Sequence, residues 1–188
     1  MTDAQNKTDE SAGERIRLWG PYSSLGLILA LFAFAADQIH KYWMIEIYRI
    51  AEKGSVAVTS FLNLVMVWNP GISYGLFPVD DPTGRLALVG LSLAAVAALC
   101  IWMSNASSRL LAVSLALIIG GALGNLTDRL VYGAVADFFS FHFAGYYWYV
   151  FNIADVTITA GVIGLIVDWL NLPKRAHHPD TPPRTAGR

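Results

Sequence analysis

Charge is scarce in this sequence. Only 14% of its 188 residues are Asp, Glu, Lys or Arg, where a soluble domain carries about a quarter. That stock is too small to cover a water-facing surface. Thirteen basic residues against fourteen acidic ones leave a net charge of -1, so there is no basic stripe to neutralise phosphates, and nucleic acid is not an expected partner. Cysteine is nearly absent. Cys100 alone cannot close an intrachain disulfide or supply a cysteine metal cage, and within its apolar run it reads as a small buried hydrophobe. The His residues form no HExxH, and no glycine-rich loop follows a strand pattern, so neither a metal site nor a cofactor is expected.

What remains is apolar: 55% of the residues, with a mean hydropathy of +0.46. A bilayer core about 30 Å thick takes about 20 mostly apolar helical residues to cross. Four stretches qualify: Leu18 to Ala36, Leu86 to Met103, Leu110 to Thr127, and Ile153 to Leu170, the last interrupted only by Asp155 and Asp168 near its ends. An even number of spans puts both termini on one side, and Lys and Arg decide which. Lys7, Arg15, Arg17, Arg109, Lys174, Arg175, Arg184 and Arg188 make eight on the side of the termini, against Lys41, Arg49, Lys53, Arg85 and Arg129 on the other. The bias places both termini in the cytoplasm. Arg15 and Arg17 followed by an apolar core and Ala33-Phe34-Ala35-Ala36 also imitate a cleavable signal peptide. Cleavage would discard the helix leading into Asp37, Gln38 and Lys41, and four retained spans are the preferred expectation.

The expected organisation is a disordered cytoplasmic tail over 1–17, a four-helix membrane domain over 18–172, and a second disordered cytoplasmic tail over 173–188. His177 and His178 then belong to a solvated tail. Between spans one and two, Val56 to Trp68 is rich in Val, Leu, Phe and Met with partial alternation, and Asn69-Pro70-Gly71 ends it as a turn. This predicts a small extracytoplasmic β-sheet. Between spans three and four, Phe138 to Phe151 is crowded with Phe, Tyr and Trp, which predicts a short aromatic segment at the membrane interface. The fold class expected is therefore an all-α membrane protein of four transmembrane helices carrying a small sheet and an aromatic interfacial segment.

Ionisable groups inside or at the edge of a span are costly, and each is a functional candidate. With the termini inside, Asp37 and Lys41, the Asn69-Pro70-Gly71 segment, Asn125, Asp128 and Arg129, Asp137, and Asn152 and Asp155 all fall at the outer face. Asp168 is the exception and reads as a solvated helix end. Asn125 and Asp128 are three apart and share a helix face, as do Asn152 and Asp155. Gly120, Gly121 and Gly124 precede the first pair, where small residues let membrane helices approach closely.

Two carboxylates close together in a low-dielectric site share a proton, so that one takes a proton from water while the other donates to a carbonyl oxygen or leaving amine. Spacing leaves Asp128 and Asp137 both open as members of such a pair. Ser73 with His142 is a competing nucleophile arrangement, although a surface hydroxyl and an interfacial His explain both residues more simply. A proton-coupled transporter would also use paired carboxylates, but along a route rather than at one face. A plain four-helix scaffold leaves the clustered aspartates without a purpose.

Four blocks, taken together, resemble the lipoprotein signal peptidase (signal peptidase II) family. They are Asp37-Gln38-Ile39-His40-Lys41; Asn69-Pro70-Gly71-Ile72-Ser73-Tyr74-Gly75-Leu76-Phe77; Gly120 to Arg129 continuing through Gly133-Ala134-Val135-Ala136-Asp137-Phe138; and Phe151-Asn152-Ile153-Ala154-Asp155. Their order and spacing agree from about residue 18 to 172. His40 stands where the family usually has a small hydroxyl residue, and Ile72-Ser73-Tyr74 departs from the common Ala-Ala-Phe type. The resemblance implies removal of the signal peptide from diacylglyceryl-modified bacterial prolipoproteins, just before the lipidated cysteine, by an aspartic endopeptidase of the inner membrane without a cofactor. It further implies Asp137 and Asp155 as the catalytic pair. Asn69, Gly71, Asn125, Asp128, Arg129, Asn152 and Ala154 would bind substrate or support the site, with Arg129 on the polar part of substrate or lipid. Asp128 would pair with Arg129 or an amide, and Asp37 with Lys41 would stabilise the outer helix end. Its partners would be lipidated prolipoprotein signal peptides and membrane phospholipid, and the working unit a monomer.

Overall fold

In the computed structural model, residues 18–71 and 82–176 are described. The expected tail over 1–17, the part of the expected 173–188 tail from residue 177 on with His177 and His178, and the Ile72-Ser73-Tyr74 departure all lie outside these residues. The elements run α1 (Ser23–Tyr42), a π-helical turn (Trp43–Ile47), α2 (Ile50–Lys53), β1 (Val56–Ala57), β2 (Leu62–Asn69), α3 (Pro82–Ser104), α4 (Arg109–Val131), β3 (Val135–Phe143), β4 (Tyr146–Phe151) and α5 (Ile153–Ala176). Four helical stretches, Ser23–Ile47, Thr83–Ser104, Arg109–Val131 and Ile153–Asn171, are long and apolar enough to cross a membrane. Large apolar side chains such as Phe32 and Leu86 stand more than 70% exposed on them, an arrangement suited to lipid and not to water.

The first helix differs from its expected bounds at its start. It starts at Ser23 rather than Leu18, because Pro21 disfavours helix in the residue before it; the Gly20 amide donates to Ser23 Oγ at 2.8 Å in the resulting turn. It ends at Tyr42, one residue past Lys41. Asp37 and Lys41 form an i,i+4 ion pair at 2.8 Å, so the charges are matched within the helix and do not force it out of the apolar layer. At the other end of the chain, α5 continues to Ala176, past residue 173 where the tail was expected to begin.

Helix α4 is the centre of the bundle: half of its most apolar window is buried, against none of that of α3. Ala30, Met103, Leu115, Ala116 and Ile119 form the core where α1, α3 and α4 meet. The glycines of α4 act through close packing, as expected. A Cβ on Gly120 would lie 2.5 Å from the Ala30 carbonyl oxygen of α1, and one on Gly121 would lie 2.5 Å from the Ala154 carbonyl oxygen of α5. Gly124 lies against the Asp37 carboxylate. Cys100, expected to be buried, is exposed on α3, because that helix packs along one side only. Asp168, expected to be solvated, is 3% exposed and accepts a hydrogen bond from Ser108 Oγ at 2.6 Å. Ser108 also caps α4 by accepting from the Leu111 amide, so the carboxylate is drawn in to the helix end.

The expected sheet is present and is larger than Val56 to Trp68. Four antiparallel strands run in the order β1-β2-β3-β4, and the aromatic segment supplies two of them instead of standing as a separate element. Ala144 and Gly145 close the β3–β4 hairpin with φ of 51° and 83°, the mirror-image two-residue turn that matches strand twist. A second core of Met44, Ile50, Ala136 and Phe138 joins the sheet to the end of α1 and to α2.

The α4–α5 contact makes a direct prediction. Gly121→Ala forces the two helix backbones apart and lowers stability by about 1–3 kcal/mol. Gly90→Ala on α3, where a Cβ meets nothing within 4 Å, stays within about 0.5 kcal/mol of wild type. Thermal unfolding in detergent compares them, and equal melting temperatures for the two variants would contradict this packing.

Candidate active site

Asp137 lies on β3 and Asp155 in the first turn of α5. Their meeting is arranged by Asn152, which is fully buried between them. Asn152 is the N-cap of α5: its Oδ1 accepts from the Asp155 amide at 3.0 Å, and Asp155 Oδ2 accepts from the Asn152 amide at 3.3 Å. This reciprocal capping box fixes Asp155 at the helix entrance. The Asn152 side-chain amide then reaches across, donating to Asp137 Oδ1 at 2.7 Å and to Asn125 Oδ1 at 3.1 Å. Asn125 completes the circuit by donating to Asp155 Oδ1 at 3.0 Å. These amides join Asn125 of α4 to the Asn152/Asp155 pair of α5.

The second oxygen of Asp137 is reached from β2, through a register irregularity. Leu64 pairs with Phe139 but Val67 pairs with Asp137, so β2 carries one extra residue between these pairs. Continued without that bulge, the register would put Asp137 opposite Met66 and turn Asn69 to the other face of the sheet. With it, Asn69 and Asp137 share a face, and Asn69 Nδ2 donates to Asp137 Oδ2 at 3.3 Å and to the Tyr149 hydroxyl at 2.9 Å. Asn69 Oδ1 accepts from the Gly71 amide at 3.1 Å, and the Gly71 carbonyl accepts from Arg129 Nη2 at 2.9 Å. Arg129 therefore ties the turn after β2 to α4.

Asp128 is not a member of the carboxylate pair. It binds Lys41 Nζ at 2.8 Å and accepts from the Ala136 amide at 3.0 Å; the amide partner was expected, whereas the cation holding it is Lys41. Asp37 accepts from the Ala154 amide at 2.9 Å. Gln38, named with Asp37 and Lys41 from the sequence but given no role there, donates to Asp37, to Asp128 and to the Gly124 carbonyl at 3.1–3.3 Å. Tyr149 was taken for part of an interfacial belt, and no spacing marked it as a participant. Ser73 lies outside the described residues. His142 faces Asn63 Oδ1 at 3.3 Å and the Tyr147 ring, and His40 stacks on Phe139.

Two cavities open on Asp155. One, of about 700 Å³, is bounded by Phe141, Trp148, Phe151 and Ile163 between sheet and α5. The other, of about 310 Å³, is bounded by Leu91, Asn125 and Arg129 between α3 and α4. Asp155 and Thr159 line both, so the same carboxylate is open from two sides. Among the described residues no three His, Cys, Asp or Glu side chains gather to hold a metal ion.

The architecture defines a class before it defines a family. A bacterial membrane enzyme solved by the in meso method at 2.3 Å resolution superposes with a TM-score of 0.71 at 26% identity, over 84% of this chain and 94% of that one. The curated lipoprotein signal peptidase of Rhodopseudomonas palustris (strain TIE-1) is 50% identical over 150 residues, covering 78% of this chain and 92% of the relative. That of Nitrobacter hamburgensis is 50% identical over 147 residues, covering 76% and 90%. The profile described as signal peptidase (SPase) II matches residues 29–171, and the chain belongs to the signal peptidase II family.

Burial pushes the Asp137 carboxyl up from 3.8 to about 7, and the negative charge of Asp155 adds to the rise; Asn152, Asn69 and Lys41 oppose it. The folded protein thus holds a proton that the unfolded chain releases near the ordinary carboxylate value. Stability from this group is complete below about pH 4 and is lost as pH rises through about 7, on the order of 4 kcal/mol for the whole shift. The melting temperature in detergent is expected to fall between about pH 4 and pH 7, and Asp137→Asn to flatten that decline. An identical slope in the variant would contradict the assignment.

Proposed function

We propose that this protein is an aspartic endopeptidase that removes the signal peptide from diacylglyceryl-modified bacterial prolipoproteins, cutting just before the lipidated cysteine, with Asp137 and Asp155 as the catalytic pair. The observation that carries the chemistry is the single buried amide of Asn152 bonded to Asp137 while its backbone and side chain cap Asp155. This couples two carboxyls from different elements in one site, of which Asp137 retains a proton near neutral pH.

In the proposed reaction Asp155 takes a proton from water as the oxygen attacks the scissile carbonyl carbon, and Asp137 gives its proton to the carbonyl oxygen. Collapse of the tetrahedral intermediate breaks the C–N bond. The leaving amine of the cysteine takes the proton held by Asp155, the hydroxyl of the former carbonyl returns its proton to Asp137 as the C=O bond re-forms, and the signal peptide departs with a new carboxyl end. Asn69, Asn125 and Asn152 hold the carboxyls in place, the Ala154 amide anchors the start of α5 to Asp37, and Arg129 and Gly71 stand at the margin where the polar part of substrate or lipid would lie.

The charge bias of the loops supports a multi-pass protein of the bacterial cytoplasmic membrane with both termini cytoplasmic, 1–17 and 177–188 as tails, and the site near the outer leaflet. The sheet would then lie outside the cytoplasm, with the exposed ring of Tyr146, Tyr147 and Trp148 at the phospholipid interface and closing on substrate. A monomer suffices, since every group of the proposed site comes from one chain, and neither cofactor nor nucleic acid enters the reaction.

Asp137→Asn and Asp155→Asn should each lower kcat by about 10²–10⁴-fold on a purified diacylglyceryl-modified prolipoprotein, in protein that stays folded. Cleavage surviving both changes would move the chemistry elsewhere. For the wild-type enzyme kcat should decline as pH rises through about 7, where Asp137 loses the proton it donates. Deleting Ala144 to Tyr147 should slow processing of the same substrate; an unchanged rate would remove the hairpin from substrate handling.

A further inference from the structure

Asp137 and Asp155 are each preceded by an alanine whose amide is bound from a distant part of the chain. The Ala136 amide donates to Asp128 Oδ2 of α4 at 3.0 Å, and the Ala154 amide donates to Asp37 Oδ1 of α1 at 2.9 Å. The two accepting carboxylates are joined by one ammonium: Lys41 Nζ lies 2.8 Å from Asp37 Oδ2 and 2.8 Å from Asp128 Oδ2. Its third contact is Asn125 Oδ1 at 3.3 Å, and Asn125 is the residue that donates to Asp155. An ammonium has three donors, and here all three are used.

We propose that Asp37, Lys41 and Asp128 form a positioning clamp that sets the separation of the Asp137 and Asp155 carboxyls. The inference rests on those two aspartates being the catalytic pair. The three residues are 0%, 3% and 1% exposed, so this is no solvated helix end. A buried ion cluster is a weak source of stability, because desolvation offsets most of its attraction; its value lies in directional bonds. The Ala154 amide is one of the orphan donors in the first turn of α5, ordinarily left to a local cap or to water. Taking it from α1 docks the start of α5 at a fixed place. Asp128 does the same for β3 through Ala136, and Lys41 joins the two. Gly124 leaves the room for the Asp37 carboxylate that this arrangement requires.

Displacing a reacting group by about 1 Å costs about a hundredfold in rate, so loosening the clamp acts on kcat and leaves substrate affinity alone. Lys41→Arg keeps the charge but replaces a three-way point donor with a planar fork. The full chain in detergent, assayed on a diacylglyceryl-modified prolipoprotein, should show kcat lowered about tenfold to a hundredfold for this variant, with KM within about twofold. The alkaline limb of its kcat–pH profile should also move. Asp137 is faced by Asp155 from α5, Lys41 from α1 and Arg129 from α4, and none of these changes charge in Lys41→Arg. Asp37→Asn and Asp128→Asn, which keep an oxygen for the alanine amide and lose only the ionic tie, should lower kcat in the same way and serve if Lys41→Arg does not fold.

Wild-type kcat per folded molecule and an unmoved pH limb, in variants with lowered melting temperature, would overturn the clamp and leave a structural role alone. Asp137→Asn assayed in parallel separates the two ideas. If it still cleaves, the catalytic reading itself fails; if it is inactive while the clamp variants match wild type, only the clamp fails.

Discussion

One ammonium between two carboxylates, shut away from water at the end of a membrane helix, is the constraint on which the rest of this structure depends. Lys41 could not be buried without Asp37 and Asp128, and the two acids could not approach each other without Lys41. Their union decides where α1 meets α4, why α4 carries Gly124 at that level, and where the chain must enter β3 and α5. Packing and polarity serve one end here. The glycines of α4 bring the helices close enough for short side chains to bond across them, and those bonds hold the helices at that distance.

The sheet is subordinate to the same point in space. Its bulge between Leu64 and Val67 aligns Asn69 with Asp137, and its β3–β4 hairpin carries Tyr149 back to Asn69. A carboxyl that keeps its proton near pH 7 needs both low polarity around it and a charged neighbour. Asp137 has the first from the junction of sheet and bundle and the second from Asp155. The water that hydrolysis consumes must still reach this place, and the cavities meeting at Asp155 leave it accessible from two sides.

Much of this was legible in the sequence because a membrane makes polarity conspicuous. In a chain this apolar, Asp37, Lys41, Asn125, Asp128, Asn152 and Asp155 stand out without any structure, and alternation of the spans gathers them at one face. The four-block resemblance then separated Asp137 from Asp128, which spacing could not do. What stayed hidden depends on contacts distant in sequence. An aromatic run looks the same as a belt or as a hairpin until its strands find β2. Asp168 looked solvated because its partner, Ser108, is sixty residues away. The cation of Asp128 was misplaced for a like reason: Arg129 is adjacent in sequence, but Lys41 is the neighbour in space.

The central claim is that the carboxyl pair hydrolyses the bond just before a lipidated cysteine, and mass spectrometry of the products addresses it most directly. Wild-type protein given a diacylglyceryl-modified prolipoprotein should release a signal peptide that ends one residue before that cysteine. The mature fragment should begin with the lipidated cysteine and a free amine, and neither product should appear with a double Asp137→Asn, Asp155→Asn variant. Cleavage at another bond, or the same two products from the double variant, would contradict the account.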